Sequence, residues 1–180
     1  MIGLINKFLS KDENLSLFYP VFQRLKKNTE VEKIFKSISE FSEKSEVRYV
    51  GGCVRKIINQ EEVDDIDLAT NIEPTKVIEI LKKDNIEFHE IGVEHGTITA
   101  RINRQKFEIT TLREDISTDG RHAKVKFSDN WHQDASRRDF TFNSIYADLN
   151  GNLFDPFNGK KDLEIGEVKF IGEADKRIKE

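Results

Sequence analysis

The sequence predicts an α+β domain in which short strands are interleaved with helices. Apolar residues recur at helical spacing in some segments, short apolar runs of strand length occur in others, and glycine or proline separates several of them. The chain has 180 residues, which is long enough for one domain with a self-supporting core. Its 10 glycines and 3 prolines argue against a disordered chain.

The first half of the chain predicts alternating helices and strands. Thr29 and Glu32 form a capping-box pattern ahead of apolar residues on one helical face. The predicted elements are, in order, a helix over residues 30–44, a strand over 47–50, a short helix over 54–58, a strand over 64–69 and a helix that has Pro74 in its first turn.

The second half predicts three strands, a long polar loop and further short elements. Loops longer than about 15 residues in compact domains are usually functional or mobile, so we expect this loop to move in the absence of substrate. The elements are, in order, strands over 86–91, 97–102 and 106–112, the loop over 113–135, a helix from Ser136 to about Ala147, two or three short strands or turns over 152–171, and the start of a helix from Ala174.

Charge and composition exclude several classes of protein. The 29 basic and 33 acidic residues give a net charge of -4, which does not fit a uniformly basic nucleic-acid coat but allows a local basic patch. No apolar run approaches the roughly 20 residues that span a bilayer, and the first 28 residues lack the pattern of a signal peptide. The single cysteine, Cys53, excludes an internal disulfide and favours a reducing compartment, which we take to be the cytoplasm.

Acidic residues concentrate in one segment. Residues 49–100 carry 11 acidic and 5 basic residues, and the densest run ends in a predicted strand. Strand alternation places Asp65 and Asp67 on one face, roughly 7 Å apart, and Asp64 on the other. Two such carboxylates can share divalent ions, and hard oxygen ligands suit Mg²⁺. An Asp-x-Asp pair also occurs by chance, and the alternative is a strand edge that carries solvated charge.

A glycine pair, Gly51-Gly52, separates the first predicted strand from a helix. Backbone N–H groups at such a turn can approach a phosphate closely, and the helix N-terminus adds a favourable potential. Arg55 in the first helical turn can reach the same anion. The alternative is a tight turn that binds nothing.

Two adjacent arginines and an aspartate, Arg137-Arg138-Asp139, follow Ser136 at the predicted start of a helix. Two guanidinium groups there would hold a triphosphate or a nucleobase edge in fork geometry. Asp139 could accept a hydrogen bond from a ribose hydroxyl or fix an arginine. The alternative is helix capping with a surface ion pair, which contributes at most about 1 kcal/mol.

The order of these motifs resembles the head domain of the class II tRNA nucleotidyltransferases (CCA-adding enzymes) and of the related bacterial poly(A) polymerases. The resemblance covers about residues 46–180. The segment 119–121 resembles part of the family's flexible loop. The other matching segments are Gly51-Gly52-Cys53-Val54-Arg55, Asp65-Ile66-Asp67-Leu68-Ala69-Thr70, Gly96-Thr97-Ile98-Thr99, Phe107-Glu108-Ile109-Thr110-Thr111-Leu112-Arg113, Arg137-Arg138-Asp139-Phe140-Thr141-Phe142-Asn143-Ser144 and Asp155-Pro156-Phe157-Asn158-Gly159-Lys160-Lys161-Asp162-Leu163.

The resemblance implies a polymerase-β-like nucleotidyltransferase fold, with a small mixed or antiparallel sheet and flanking helices. It implies a catalytic head over residues 46–173, an N-terminal helical extension over 1–45 and the start of a neck helix over 174–180. It also implies transfer of CMP and AMP from CTP and ATP to the 3′ end of tRNA, with release of pyrophosphate and with two Mg²⁺ ions.

The resemblance further implies roles for individual residues. Asp65 and Asp67 would hold the metal ions, and Glu108 would be a third catalytic carboxylate. The nucleotide would be bound by Gly51, Gly52, Arg55, Arg138, Asp139 and Asn143.

The sequence departs from the family pattern at two places. Lys56 stands where the family commonly has Asp, which alters the charge beside the glycine turn. Glu180 lies where the family's base-reading Glu-Asp-x-x-Arg motif would begin. We therefore expect the partner of this chain to be a second chain that carries neck, body and tail polypeptide, or else a homo-oligomer.

Residues 95–111 favour CCA addition over poly(A) addition, because they resemble the CCA-adding enzymes and lack the Arg-Phe-Arg type of strand that the poly(A) polymerases tend to carry. Three alternatives stay open. The chain could be a poly(A) polymerase-type adenylyltransferase, a minimal transferase that acts alone, or a non-catalytic remnant that binds nucleotide or a partner protein.

Overall fold

A computed structural model describes residues 17–90, 92–118 and 123–177 of the chain. The helices are α1 (Tyr19–Asn28), α2 (Val31–Ser39), α3 (Gly52–Ile58), α4 (Pro74–Lys83), α5 (Trp131–Ser136), α6 (Gly159–Ile165) and α7 (Ala174–Arg177). The strands are β1 (Val47–Val50), β2 (Ile66–Thr70), β3 (Glu87–His89), β4 (Thr97–Ile102), β5 (Gln105–Thr111), β6 (Arg113–Thr118), β7 (Ala123–Phe127), β8 (Tyr146–Ala147) and β9 (Leu153–Phe154). Short 3₁₀ helices lie at Val93–His95 and Thr141–Asn143.

Seven of these strands form one mixed sheet in the order β3-β4-β5-β2-β1-β8-β9. Neighbouring strands are antiparallel except β2 and β5, which are parallel. β6 and β7 pair separately as a two-stranded antiparallel hairpin. The predicted α+β class with a small mixed sheet and flanking helices is therefore confirmed.

The sheet separates two apolar clusters, as strand alternation requires. Ile66 and Leu68 of β2 are buried in the larger cluster, which the N-terminal helices help to form. Ala69 belongs to a smaller cluster with Tyr146 and the α5 residue Ala135. Because Asp67 alternates with Ile66 and Leu68, it lies on the face of the sheet that α5 covers only in part.

The first two helices belong to the same core as the sheet. The ring of Tyr49 in β1 lies 5.0 Å from the ring of Phe22 in α1 and 4.9 Å from that of Phe35 in α2, measured between centroids. All three side chains are buried. The predicted boundary near residue 45 is therefore not a break in the hydrophobic core.

The N-terminal prediction needs correction, since α1 was not predicted and α2 ends at Ser39 rather than near residue 44. The Thr29 hydroxyl donates to the carbonyl of Leu25 at 2.9 Å, so it closes the end of α1. Glu32 forms an ion pair with Lys26 at 2.6 Å. Thr29 and Glu32 therefore each contact a residue of α1, and they do not form the reciprocal side chain–backbone hydrogen bonds of a capping box.

The prediction of a long loop over residues 113–135 is wrong. That segment contains the β6–β7 hairpin and α5, and Arg113 pairs with Phe127 at the base of the hairpin. Its mixed charged and polar residues hid the strand pattern, because most of the stabilisation comes from cross-strand pairing rather than from a buried apolar face. The predicted flexible segment 119–121 lies outside the described residues.

The C-terminal part of the described chain holds a helix that was not predicted. α6 follows the Asp155-Pro156 pair, and the Asp155 carboxylate accepts hydrogen bonds from the backbone N–H groups of Gly159 at 2.8 Å and Lys160 at 2.9 Å. The predicted helix start at Ala174 is confirmed as α7. Within the residues that the structure describes, no helix is long and apolar enough to cross a membrane.

Candidate functional site

Two carboxylates meet where β2 and β5 run parallel. Asp67 of β2 is opposite Glu108 of β5 in the register, and neighbouring strands lie about 4.8 Å apart. The buried neighbours Phe107 and Ile109 fix the orientation of β5, so Glu108 lies on the face opposite the larger core. Glu108 is exposed and Asp67 is half-buried. The structure therefore brings the candidate third carboxylate beside one member of the predicted pair.

Asp65 lies immediately before β2, at an exposed position. Burial raises the pKa of the Asp67 carboxyl, and the charges of Glu108 and Asp65 raise it further, whereas Arg138 opposes them. Across residues 17–90, 92–118 and 123–177, the carboxylates of Asp65, Asp67 and Glu108 form no hydrogen bond or ion pair with protein groups. The result is a concentration of negative charge that has no direct ion pair within the described part of the chain.

Asp64 is the contrasting acid in the same run. It is exposed and forms an ion pair with Lys56, which holds the pKa of the Asp64 carboxyl below its usual range. β2 begins at Ile66 rather than at Asp64 as predicted, so strand alternation does not place Asp64 or Asp65. The departure from the family pattern at Lys56 neutralises Asp64.

The chemistry of the three unpaired carboxylates fits a hard divalent cation such as Mg²⁺, which takes oxygen ligands and retains several waters. The described residues contain no cluster of three His, Cys, Asp or Glu side chains arranged to enclose a metal. The fit is therefore to an ion held by one or two carboxylates together with substrate phosphates, rather than to a complete protein cage.

The glycine turn lies beside a group of basic and amide side chains. Gly51 has φ of +67°, a conformation that favours glycine. A Cβ atom added to Gly51 would lie 3.6 Å from Nη1 of Arg138 and 3.8 Å from the carbonyl oxygen of Asn143. Gly52 begins α3, and a Cβ added there would meet no heavy atom within 4 Å. The described residues therefore leave space beside the Cα atom of Gly52.

Arg55 reaches across from α3 to the same group. Its Nη1 donates to Oδ1 of Asn143 at 2.5 Å, and its guanidinium carbon lies 5.5 Å from the ring centroid of Phe142. Five predicted nucleotide-binding residues from two segments that are far apart in sequence therefore come together: Gly51, Gly52, Arg55, Arg138 and Asn143.

The prediction that Arg137-Arg138-Asp139 opens a helix through Ala147 is wrong, because these residues follow α5. The Asn130 side chain caps α5 by accepting from the backbone N–H groups of His132 at 3.0 Å and Gln133 at 3.1 Å. Ser136 does not cap a helix, since its hydroxyl donates back to the Gln133 carbonyl at 2.8 Å. The residue that caps the helix is therefore Asn130, six residues before Ser136.

Arg138 is held from three sides. Its Nε donates to the Tyr146 hydroxyl at 3.1 Å, its Nη1 to the Asn143 carbonyl at 3.4 Å and its Nη2 to Oδ2 of Asp134 at 3.3 Å. Asp139 differs, since its side chain is exposed and has no bonding partner in the described part of the chain. Its carbonyl accepts from the backbone N–H of Ile171 at 2.8 Å. The structure therefore does not join the Asp139 carboxylate to the Arg138 contacts.

Sequence reasoning missed Asp134, which is 1% exposed, and its partner Tyr146. Asp134 precedes Arg137 by three residues and Arg138 by four, which is the spacing of helical ion pairs. This spacing was visible in the sequence, but it could be recognised as a helical ion-pair pattern only once the position of α5 was known.

A groove of about 1210 Å³ lies elsewhere, between α1, α2 and the β1 and β9 strands. Its lining includes Lys27, Lys33 and Arg48 but none of the predicted site residues. The groove is therefore separate from the site built by Asp67, Glu108 and Arg138.

Comparisons with known proteins identify relatives of this arrangement. The family model described as "Poly A polymerase head domain" matches residues 47–169. The human "CCA tRNA nucleotidyltransferase 1, mitochondrial" is 47% identical over 148 residues, which cover 81% of this chain and 34% of that protein. The "CCA-adding enzyme" of Oceanobacillus iheyensis is 38% identical over 134 residues, covering 73% of this chain and 32% of that protein.

Solved structures show the same fold. The Bacillus stearothermophilus CCA-adding enzyme in complex with CTP matches with a TM-score of 0.73 and 29% identity, over 83% of this chain and 34% of that one. A tRNA nucleotidyltransferase complexed with a primer tRNA and an incoming ATP analogue matches with a TM-score of 0.61 and 25% identity, over 77% and 39%.

The chain spans about a third of the length of the curated relatives that it matches. The predicted resemblance and the predicted head fold are both confirmed by these matches. Because the family model covers more than half of the sequence, this chain belongs to the poly A polymerase head domain family.

Proposed function

We propose that this chain is the catalytic head of a CCA-adding tRNA nucleotidyltransferase. It would transfer CMP and AMP from CTP and ATP to the 3′ end of tRNA. The names of its relatives support this reaction, and the solved relatives contain CTP in one case and a primer tRNA with an ATP analogue in another. In the reaction, the terminal hydroxyl oxygen forms a bond to the α-phosphorus while the bond to the departing pyrophosphate breaks.

The observation that carries this proposal is the pairing of two oppositely charged groups in one place. Asp67, with Glu108 beside it, forms an acidic group that makes no ion pair with the described residues, while Arg55 and Arg138 frame a glycine turn. The charge of Arg138 opposes the rise in the pKa of the Asp67 carboxyl, so the two groups are close enough to interact electrostatically. A nucleoside triphosphate with its cation carries the charges that complement both groups.

We assign catalytic roles to Asp65, Asp67 and Glu108, and metal binding to the two aspartates. When bound, Mg²⁺ would lower the pKa of the attacking hydroxyl and neutralise charge on the phosphates. Asp67 would orient the reacting groups, because β2 fixes its backbone between two buried residues. Glu108 on the neighbouring strand would increase the negative potential at the same position.

The remaining assigned residues would bind the nucleotide. Gly51 and Gly52 would let the triphosphate approach the backbone, since Gly52 leaves open space. Arg55 and Arg138 would form charge-assisted hydrogen bonds to phosphate oxygens. Asn143 would orient Arg55 through their hydrogen bond, and the exposed Asp139 would reach the ribose.

Whole-enzyme activity would also need polypeptide that corresponds to the remaining two thirds of the relatives. We propose that this polypeptide grips the tRNA. The reduced, buried Cys53 is consistent with the predicted cytoplasmic location. Because the human and mouse relatives are named as mitochondrial, we give the cytoplasmic location of this chain as a proposal.

The function can be tested with labelled CTP or ATP, Mg²⁺ and tRNA that lacks its 3′ CCA. We expect the chain to add two C residues and then one A when mixed with the region of the Oceanobacillus relative that follows its head. Labelling without that region would instead indicate a transferase that acts alone. Long tracts of A would indicate poly(A) addition, which the family name keeps as the second candidate. Nucleotide binding without any labelling would contradict catalysis and favour a nucleotide-binding remnant.

A further inference from the structure

The Asp134 carboxylate occupies the last turn of α5 and is 1% exposed. Its Oδ1 accepts from Nε of Arg137 at 2.9 Å and from the backbone N–H of Arg113 at 3.1 Å. Its Oδ2 accepts from the Tyr146 hydroxyl at 2.6 Å and from Nη2 of Arg138 at 3.3 Å. Asp134 therefore joins α5, the base of the β6–β7 hairpin, β8 and the segment that carries Arg138.

A buried carboxylate of this kind must be strongly held to remain charged. Burial alone would raise the pKa of the Asp134 carboxyl. Arg137 and Arg138, followed by the Tyr146 hydroxyl and the Arg113 N–H, hold that pKa below its usual range. Asp134 is therefore a permanent anion at neutral pH.

The contacts of Arg138 leave part of its guanidinium group available. Of its five N–H hydrogens, three donate to Tyr146, Asn143 and Asp134. The other two belong to Nη1 and Nη2, and Nη1 is the atom closest to the glycine turn at Gly51. The plane of the guanidinium group is thus fixed by its protein contacts, and its two other N–H groups have no acceptor among residues 17–90, 92–118 and 123–177.

We propose that Asp134, assisted by Tyr146, is a positioning residue that fixes Arg138 at the glycine turn to receive a phosphate group of the nucleoside triphosphate. The inference rests on the proposed function and names the residue that prepares its phosphate-binding arginine. Asp134 would touch no substrate atom, and it would act only through the Arg138 guanidinium.

The competing explanation is that Asp134 serves the fold alone. A buried ion pair often contributes little to the free energy of unfolding, although loss of one partner leaves the other charge buried and unpaired. Stability by itself therefore does not separate the two explanations. Nucleotide affinity and the state of the Arg138 side chain do separate them.

The test compares two variants with a matched control. Asp134→Asn keeps the shape of the side chain and removes its charge. Tyr146→Phe removes only the hydroxyl, because the ring keeps its edge contact with Trp131 at 5.4 Å between centroids. The control is Asp162→Asn, which changes the other buried carboxylate of the described residues, one that binds the Thr141 hydroxyl instead of Arg138.

The measurements are the dissociation constant of CTP in the presence of Mg²⁺, by calorimetry on the 180-residue chain, and the ¹H–¹⁵N signal of Arg138 Nε. For Asp134→Asn we expect the affinity for CTP to weaken by at least about tenfold, because the charge-assisted hydrogen bond that Arg138 donates to Asp134 is lost and the guanidinium group is no longer held toward the phosphate. For Tyr146→Phe we expect about fivefold weakening. In both variants the Nε signal should move toward that of a free arginine, whereas Asp162→Asn should change neither measurement, whatever its effect on thermal stability.

Two results would overturn the inference. One is unchanged CTP affinity and an unchanged Nε signal in a folded Asp134→Asn or Tyr146→Phe variant. The other is an equal loss of affinity in Asp162→Asn, which would show a general effect of destabilisation. Failure of the wild-type chain to bind CTP would instead contradict the proposed function, and the Nε signal would then still decide whether Asp134 positions Arg138.

Discussion

Asp67→Asn is expected to lower nucleotide transfer by at least about a hundredfold without lowering the stability of the fold. Loss of groups that merely support metal ligands already costs about 10- to 100-fold, so loss of a direct ligand should cost at least as much. Stability should not fall, because the substitution removes a half-buried charge that Glu108 and Asp65 repel. The measurements are the initial rate of label incorporation and the unfolding free energy from urea titrations.

The raised pKa of Asp67 determines the direction in which its contribution to the unfolding free energy changes with pH. Because the pKa of Asp67 is raised above its ordinary value of 3.8, the folded chain binds this proton more tightly than the unfolded chain does. The contribution of Asp67 to the unfolding free energy therefore falls as pH rises through 3.8 toward the raised value. The difference between wild type and Asp67→Asn should grow over that range and then become constant.

Asp64→Asn is the matched control, since Asp64 lies three residues away and binds Lys56. It should leave transfer intact. The lowered pKa of Asp64 gives the opposite sign, so its contribution to stability is present at neutral pH and is lost as pH falls through the lowered value. An active Asp67→Asn variant, or an inactive Asp64→Asn variant, would refute the assignment of the two acids.

Gly159→Ala is the second substitution with a large expected effect. The added Cβ would lie 2.2 Å from the carbonyl oxygen of Thr141 and 2.8 Å from the backbone nitrogen of Phe142. These contacts involve backbone atoms, which cannot rotate away. We expect a loss of unfolding free energy of about 3 kcal/mol, at the upper end of the usual cost of overpacking.

Gly52→Ala is the control for adding a methyl group to a glycine. Its Cβ meets no heavy atom within 4 Å, and Gly52 does not have a positive φ. Alanine is favoured over glycine in a helix, so the stability should hold or rise by up to about 1 kcal/mol. The CTP affinity should nevertheless fall, because the methyl group would occupy the space proposed for phosphate. A destabilised Gly52→Ala variant, or a Gly159→Ala variant as stable as wild type, would contradict the packing described for these two glycines.

The parts of the fold that could be predicted are those whose signals are local. The four residues of β1 and the six of β4 have the predicted bounds, because β1 is a short apolar run and the apolar residues of β4 alternate toward one buried face. Pro74 begins α4 as its fixed φ requires. The β6–β7 hairpin could not be recognised, because its strands gain stability from each other and carry little buried apolar surface of their own.

Individual residues of the candidate site could be predicted from the sequence, but the long-range contacts between them could not. Asp65, Asp67 and Arg55 carried visible chemistry, and strand alternation placed Asp67 correctly. The position of Glu108 depended on β2 and β5 being parallel neighbours, which is a long-range pairing. Asp134 was missed for a related reason, since its burial depends on Tyr146 from a distant strand.

The most direct test of the central claim, that the acidic group and the basic glycine turn form one nucleotide site, is a ¹H–¹⁵N NMR titration of the chain. We expect Mg²⁺ alone to shift the amide signals around Asp67 and Glu108. Further addition of CTP should shift those of Gly51, Gly52 and Arg138, and Asp67→Asn should abolish the first set of shifts. Shifts confined to the groove between α1 and α2, or no shifts with either ligand, would contradict the claim.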